Sequence, residues 1–203
     1  MTRDEINQAI VDKFEIKRYN KILPPMLPWN AGRKHTRFTL AQLLGELGYT
    51  KGAEIGVRRG NYSKYLIKCM PHLELYCIDP WAAYERYSQE RQDRIYGQCL
   101  EKLKDTPNAK IIRKSSMDAL KDFEDESLDF IFIDGDHRFD AIMMDIICWV
   151  PKIRKNGIII IHDYYATGFY GVRQAVDAYT QCHNINPWFT TKEFEPTAFW
   201  VKS

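Results

Sequence analysis

The sequence predicts an α/β fold: a doubly wound, seven-stranded sheet, mostly parallel, with a C-terminal antiparallel hairpin. Three observations carry that prediction. Short apolar runs at AEIGV, LELYCID, AKIIR, LDFIFID and GIIIIHD alternate with helix-like stretches, as a parallel sheet covered on both faces requires. WFTTKEF and TAFWVK then stand back to back near the end, which reads as a hairpin joining the sheet. The stretches between the runs have helical spacing: FDAIMMDIICWV places Phe139, Ile142, Met143, Ile146 and Val150 on one face, and YGVRQAVDAY does so with Val172, Ala175, Val176 and Tyr179.

The 203 residues, 45% of them hydrophobic, suffice for one domain with a full core and are short for two. Residues 1–36 read as an appendage, with Ile6, Ile10 and Phe14 at helical spacing before LPPMLPW, whose prolines exclude regular helix. The main domain, 37–203, opens on TLAQLLGELG. Thr39 and Gln42 are spaced as a capping box, Leu40, Leu43, Leu44 and Leu47 share a face, and Gly48 is a stop. WAAYERYSQERQDRIYGQCLEKL is polar and aromatic for a covered helix. It reads either as a solvated face or as the source of a lid carrying Tyr84 and Tyr87.

Composition narrows the function. The 29 basic and 27 acidic residues leave a net charge of +2, which is not the footprint of a dedicated nucleic-acid binder. Five cysteines, with no C-x-x-C pair, argue against a disulfide framework or structural zinc. No run approaches the ~20 apolar residues that span a bilayer, and the start lacks a signal-like apolar region. A soluble, cytoplasmic protein with a small-molecule partner, neither nucleic acid nor membrane, is the expectation, and a homo-oligomer is left open.

In open α/β sheets ligands bind at the carboxyl ends of the strands, and three strand ends are informative. EIGVRRGNYSKYL follows the first, with Glu54, Gly56 and Gly60 opening a helix, and glycines there let backbone approach a ligand closely. The second strand ends at Asp79, 19 residues beyond Gly60, where an acid can hold both hydroxyls of a ribose. The E-x-G-x-x-x-G spacing is not the dinucleotide fingerprint. It resembles motif I of the Rossmann-like class I S-adenosylmethionine-dependent methyltransferases, and YCIDPW resembles their motif II, over about residues 40–203. The resemblance implies that Gly56 and Gly60 border the methionine part of S-adenosyl-L-methionine, that Glu54 lies beneath it, and that Asp79 binds the ribose. KSSMDAL falls where the family contacts adenine, making Ser116 and Met117 the candidates. An ordinary helix start at Ser115 to Asp118 is the competing reading.

FIDGDHRFD, at 132–140, stops an apolar run on two carboxylates and an imidazole. The plain alternative is a polar turn with Asp136 as a helix N-cap. IDGDH and IIIIHDYY together resemble the acid pairs that end the fourth and fifth strands of metal-dependent O-methyltransferases acting on macrolide and aminocoumarin sugars. That likeness implies a divalent cation, magnesium or manganese, on Asp134 and Asp163. His162 stands where the family has the first acid of the second pair, and its nitrogen suits manganese, iron or zinc better than magnesium. A divalent cation lowers the pKa of a hydroxyl and fixes its oxygen. His137, three residues after Asp134, is spaced as a general base, and Asp136 is placed to orient it or to join the cation's outer shell. The function expected is O-methylation of a sugar or natural-product hydroxyl. N-methylation of protein or nucleic acid and a non-catalytic cofactor-binding module remain open; the absence of an Asn/Asp-Pro-Pro-aromatic motif after the fourth strand counts against nucleic acid.

Overall fold

The structure, a computed structural model, describes residues 1–16, 34–84, 87–165 and 171–203, together with the backbone of Trp29–Asn30. The LPPMLPW segment before Trp29 lies outside the described residues. Helix α1 (Arg3–Lys13) starts from a Thr2/Glu5 capping box and buries Ile6 and Ile10. These side chains and Phe14 belong to the same apolar cluster as Leu40, Phe132 and Phe199.

Helix α2 (Arg37–Glu46) is capped one turn earlier than the Thr39/Gln42 spacing suggests. The N-cap is Thr36, whose box partner is Thr39, because a short hydroxyl serves the reciprocal bond when Thr36 is already extended. Gly48 ends the helix at φ +73°, the left-handed conformation that glycine adopts without steric cost.

Strands β2 (Lys51–Ile55), β3 (Glu74–Ile78), β4 (Ala109–Ile112), β5 (Leu128–Ile133) and β6 (Ile153–Ile161) are parallel neighbours in the order β4-β3-β2-β5-β6. The C-terminal strands β7 (Phe189–Thr190) and β8 (Ala198–Val201) pair antiparallel with each other, and β8 pairs antiparallel with β6. These are the seven strands expected. The two-residue strand β1 (Trp29–Asn30) adds a parallel edge pairing to β7.

Helices α3 (Asn61–Cys69), α4 (Gln89–Leu103), α5 (Ser116–Ala119), α6 (Phe139–Trp149) and α7 (Val172–Cys182) link the strands. Apolar clusters cover both sheet faces, and each fully buried Ile, Leu or Phe contributes about 1.5–3 kcal/mol of transfer free energy. In α6 the buried residues are Ile142, Asp145, Ile146 and Trp149, whereas Phe139, expected inside, is 41% exposed at the first turn. The α7 face is buried as its spacing predicts. The cysteines are free. Among the described residues no helix is long and apolar enough to cross a membrane.

Candidate active site

Four strand ends build the site. Ile78, Ile55, Ile133 and Ile161 are paired in register across β3, β2, β5 and β6 and are all buried. The residues that follow them are Asp79, Gly56, Asp134 and His162. The ladder continues one step past the strands: the N–H groups of Gly56, Asp134 and His162 donate to the carbonyls of Ile78, Ile55 and Ile133 at 2.9, 2.8 and 2.9 Å. Three of the four strand ends therefore present a titratable side chain on the rim where the apolar sheet stops.

Gly56 has φ +87°, and a Cβ there would lie 2.0 Å from the Asp134 carbonyl oxygen. The glycine is thus required by the approach of two strand ends. Gly60, at φ +70°, opens α3 without a side-chain cap. Asp79 fastens the turn between them, accepting from Arg58 N–H at 2.9 Å and from Trp81 N–H at 2.8 Å. Trp81 Nε1 donates back to the Arg58 carbonyl at 2.8 Å. Burial raises the Asp79 carboxyl above its ordinary value, partly countered by these backbone N–H groups.

Glu54 lies on the other sheet face, in register between Cys77 and Phe132. It is 2% exposed, and its carboxylate accepts from Ser63 Oγ. Burial is the main cause of a pKa pushed up to about 8, with Asp134 and Asp79 adding to it and Ser63 and Arg37 opposing it.

Asp134, His137, His162 and Asp163 form a ring of donor atoms. His137 Nε2 is 3.3 Å from both Asp134 Oδ1 and Asp163 Oδ2, and His162 Nδ1 is 3.4 Å from Asp134 Oδ1 and 2.7 Å from Asp163 Oδ1. Consecutive side chains of a strand face opposite ways, so the convergence of His162 and Asp163 needs a break. Asp163 supplies it with φ +61°, a conformation that Asp tolerates better than most residues. His162 Nδ1 and Asp163 Oδ1 are buried without a hydrogen-bond partner despite their separation. Neighbouring donors on one six-coordinate ion with bonds of about 2.1 Å sit about 3 Å apart. The spacing, the two orphaned atoms and the mixed oxygen and nitrogen donors all fit a divalent cation.

Burial disfavours charge on both imidazoles, but the carboxylates outweigh it: His137 is raised, and His162 is raised to about 9. Asp134 is correspondingly lowered, its burial outweighed by the two histidines. Arg37 touches His162 Nε2. Arginine only donates, so this contact needs a lone pair on Nε2 and is at odds with a doubly protonated ring. With two carboxylates facing His162 Nδ1, at 3.4 and 2.7 Å, the raised direction prevails. A cation held at Nδ1 would use that nitrogen's lone pair and leave the ring proton on Nε2, which excludes the Arg37 contact.

Other expected residues lie apart from the ring. Asp136 accepts from Arg138 N–H at 3.0 Å and Nε at 2.8 Å, and this pairing lowers its pKa. The α6 N-cap is Arg138, not Asp136. Ser115 caps α5 by accepting from Asp118 N–H at 3.1 Å. Ser116 bonds the buried Asp145, which burial pushes up to about 6, and Met117 packs against an apolar cluster. Tyr84 and Tyr87 bridge each other through backbone bonds of 3.1 and 2.8 Å. Sequence reasoning missed Arg37 and the glutamates of the β7–β8 loop. The signals available were Thr36 and Thr39, which set where α2 begins, and the polar TTKEFEPT between two apolar runs.

A methyltransferase-domain family model matches residues 53–164, more than half of the chain and the span that contains every group of this rim. The chain belongs to that methyltransferase family. Its fold is similar to that of the O-methyltransferase from Bacillus cereus solved with S-adenosylhomocysteine, with TM-score 0.62, 13% identity, and coverage of 100% of this chain and 92% of that one. It is also similar to an S-adenosylhomocysteine-bound methyltransferase from Podospora anserina, with TM-score 0.59, 15% identity, and coverage of 96% and 88%. A curated relative, uncharacterized protein y4gI of Sinorhizobium fredii, is 27% identical over 93 residues, 44% of this chain. The match spans about a tenth of that relative's length, 10%.

Glu54 makes the methyltransferase fold sensitive to pH. Its folded pKa, about 8, stands above the ordinary 4.5. Its contribution to stability is therefore full below the ordinary value and is lost as pH rises through about 8. The melting temperature of the ligand-free protein should fall across that window, with Asp145 adding to the fall at its lower end, and Glu54→Gln should flatten the slope. Parallel melting-temperature profiles for the two proteins would contradict the assignment.

Proposed function

We propose that this methyltransferase transfers the methyl group of S-adenosylmethionine to the hydroxyl of a small molecule of sugar or natural-product type. We further propose that it uses a divalent cation held by Asp134, His162 and Asp163. The observation that carries this reading is the donor ring at the ends of β5 and β6, one strand away from the Gly56 turn and two from the Asp79 carboxylate. When bound, the cofactor supplies an electrophilic methyl group and the cation lowers the pKa of the acceptor hydroxyl.

The side chains divide the remaining work. Asp79 uses its oxygens to hold Arg58 and Trp81 N–H groups, and an ionised carboxylate has further lone pairs for the ribose hydroxyls. Gly56 and Gly60 keep side chains off the turn beside the methionine part. Glu54 beneath it gains a reason to ionise when a cationic amino group approaches. Ser116 and Met117 flank the adenine.

Exposure supports separate roles for the two histidines. His162 has 3% side-chain exposure and is an interior ligand, whereas His137, at 17%, stands on the rim that an acceptor can reach. His137 takes the hydroxyl proton, and the carboxylates of Asp134 and Asp163 stabilise the imidazolium that results. The chain contributes chiefly positioning and a fixed field for the developing alkoxide. Asp136 steadies the turn carrying His137 through Arg138.

The direct test is radiolabelled methyl transfer to a panel of hydroxyl acceptors, with and without chelator. Transfer should be lost on chelation and return with added Mn²⁺ or Mg²⁺, while S-adenosylhomocysteine affinity stays within about twofold, since the cofactor uses a separate strand end. Undiminished transfer in excess chelator would contradict the cation's role. With the same acceptor and saturating cation, His137→Ala should lower kcat by roughly 10²- to 10⁴-fold while cofactor affinity holds. A folded variant with near-normal kcat would remove His137 from proton transfer.

A further inference from the structure

We infer that Glu195, on the loop between β7 and β8, is a further ligand of the cation, so that the C-terminal hairpin is part of the metal site. The inference rests on the cation reading above and extends it to a part of the chain outside the matched family span, which ends at residue 164. His162, Asp163 and Glu195 each offer a ligand atom, and these atoms all lie within 4.8 Å of one another.

Two observations separate this from a chance acidic cluster. His162 and Asp163 are 3% and 5% exposed, and their Nδ1 and Oδ1 atoms lack a hydrogen-bond partner. A third carboxylate brought toward a buried Asp is repulsive unless positive charge lies between them. The loop backbone is also built to hold Glu195 there. Tyr164 N–H, next after Asp163, donates to the Pro196 carbonyl at 2.8 Å, and Thr191 N–H donates to the Thr197 carbonyl at 2.9 Å. Thr197 N–H donates in turn to Thr191 Oγ1 at 2.8 Å.

The loop's other glutamate has a different task. Glu193 accepts from Arg37 N–H at 2.7 Å and from Thr191 Oγ1 at 2.8 Å, tying the loop to the start of α2. The group of His162, Asp163 and Glu195 thus offers two carboxylates and one imidazole from β6 and the hairpin. Imidazole in an oxygen-rich set selects a borderline ion such as Mn²⁺, Fe²⁺ or Zn²⁺ over Mg²⁺.

The test uses Mn²⁺ alone and the full chain, with binding followed by the loss of the free-ion paramagnetic resonance signal. Wild type should bind Mn²⁺, and Glu195→Gln should bind it at least about tenfold more weakly. S-adenosylhomocysteine affinity should be unchanged, and Glu101→Gln on the exposed face of α4 should match wild type. Mn²⁺ should also slow amide exchange across 191–197 in the wild-type chain, a readout that does not depend on any variant folding. Wild-type affinity in folded Glu195→Gln, or bound Mn²⁺ without protection of that loop, overturns Glu195 as a ligand and leaves the cation reading standing. No Mn²⁺ binding by wild type overturns both.

Discussion

Everything at the rim depends on one register. β3, β2, β5 and β6 each end their apolar run on an isoleucine, and those four side chains lie side by side on one buried face. A slip of one residue would turn an isoleucine toward the wrong face and carry an aspartate or histidine into the core, so hydrophobic burial also fixes where the polar groups stand. Gly56 makes the arrangement tighter. Its missing side chain lets the end of β2 press against the Asp134–Gly135 backbone.

The same register sets the electrostatic problem that the site must solve. Asp134 and Asp163 are held near each other, with Asp163 buried and Asp134 partly exposed, and Asp79 and Glu54 are close enough for Asp134 to raise the pKa of both. Opposite unit charges about 4 Å apart attract by on the order of 4 kcal/mol at an effective dielectric near 20, so a positive group between the carboxylates matters to the fold as well as to chemistry. Without a cation, His137 and Arg37 supply that role from the two sides of the ring. The charge balance of the site would therefore differ between a cation-loaded and a cation-free protein.

The fold was largely legible because a parallel sheet leaves short apolar runs that end abruptly, and five of them do so on residues 53–163. The candidate site was legible where chemistry coincides with a strand end, as for Asp79, Asp134 and His162. It was not legible where tertiary geometry decides. Asp136 sits two residues from Asp134 yet is bound by Arg138, a choice of side-chain direction that spacing cannot express. The hydrogen bond from Ser116 to the buried Asp145 is likewise set by packing that spacing cannot express. Arg37 and Glu195 are far from the ring in sequence. The α2 cap brings one, and the hairpin loop, held by Thr191 and Thr197, brings the other. WFTTKEF reads as a continuous strand although only Phe189–Thr190 belongs to β7; the remainder enters the loop that carries Glu193 and, just beyond it, Glu195.

The most direct measurement is a crystal structure of the full chain grown with Mn²⁺ and S-adenosylhomocysteine, using diffraction recorded at the manganese absorption edge. The account predicts an anomalous peak about 2 Å from Asp134, His162 and Asp163 donor atoms, with the ribose on Asp79 and Arg37 turned from His162 Nε2. S-adenosylhomocysteine bound at Asp79 with no peak in the ring, and His137 still bridging the two aspartates, would contradict it.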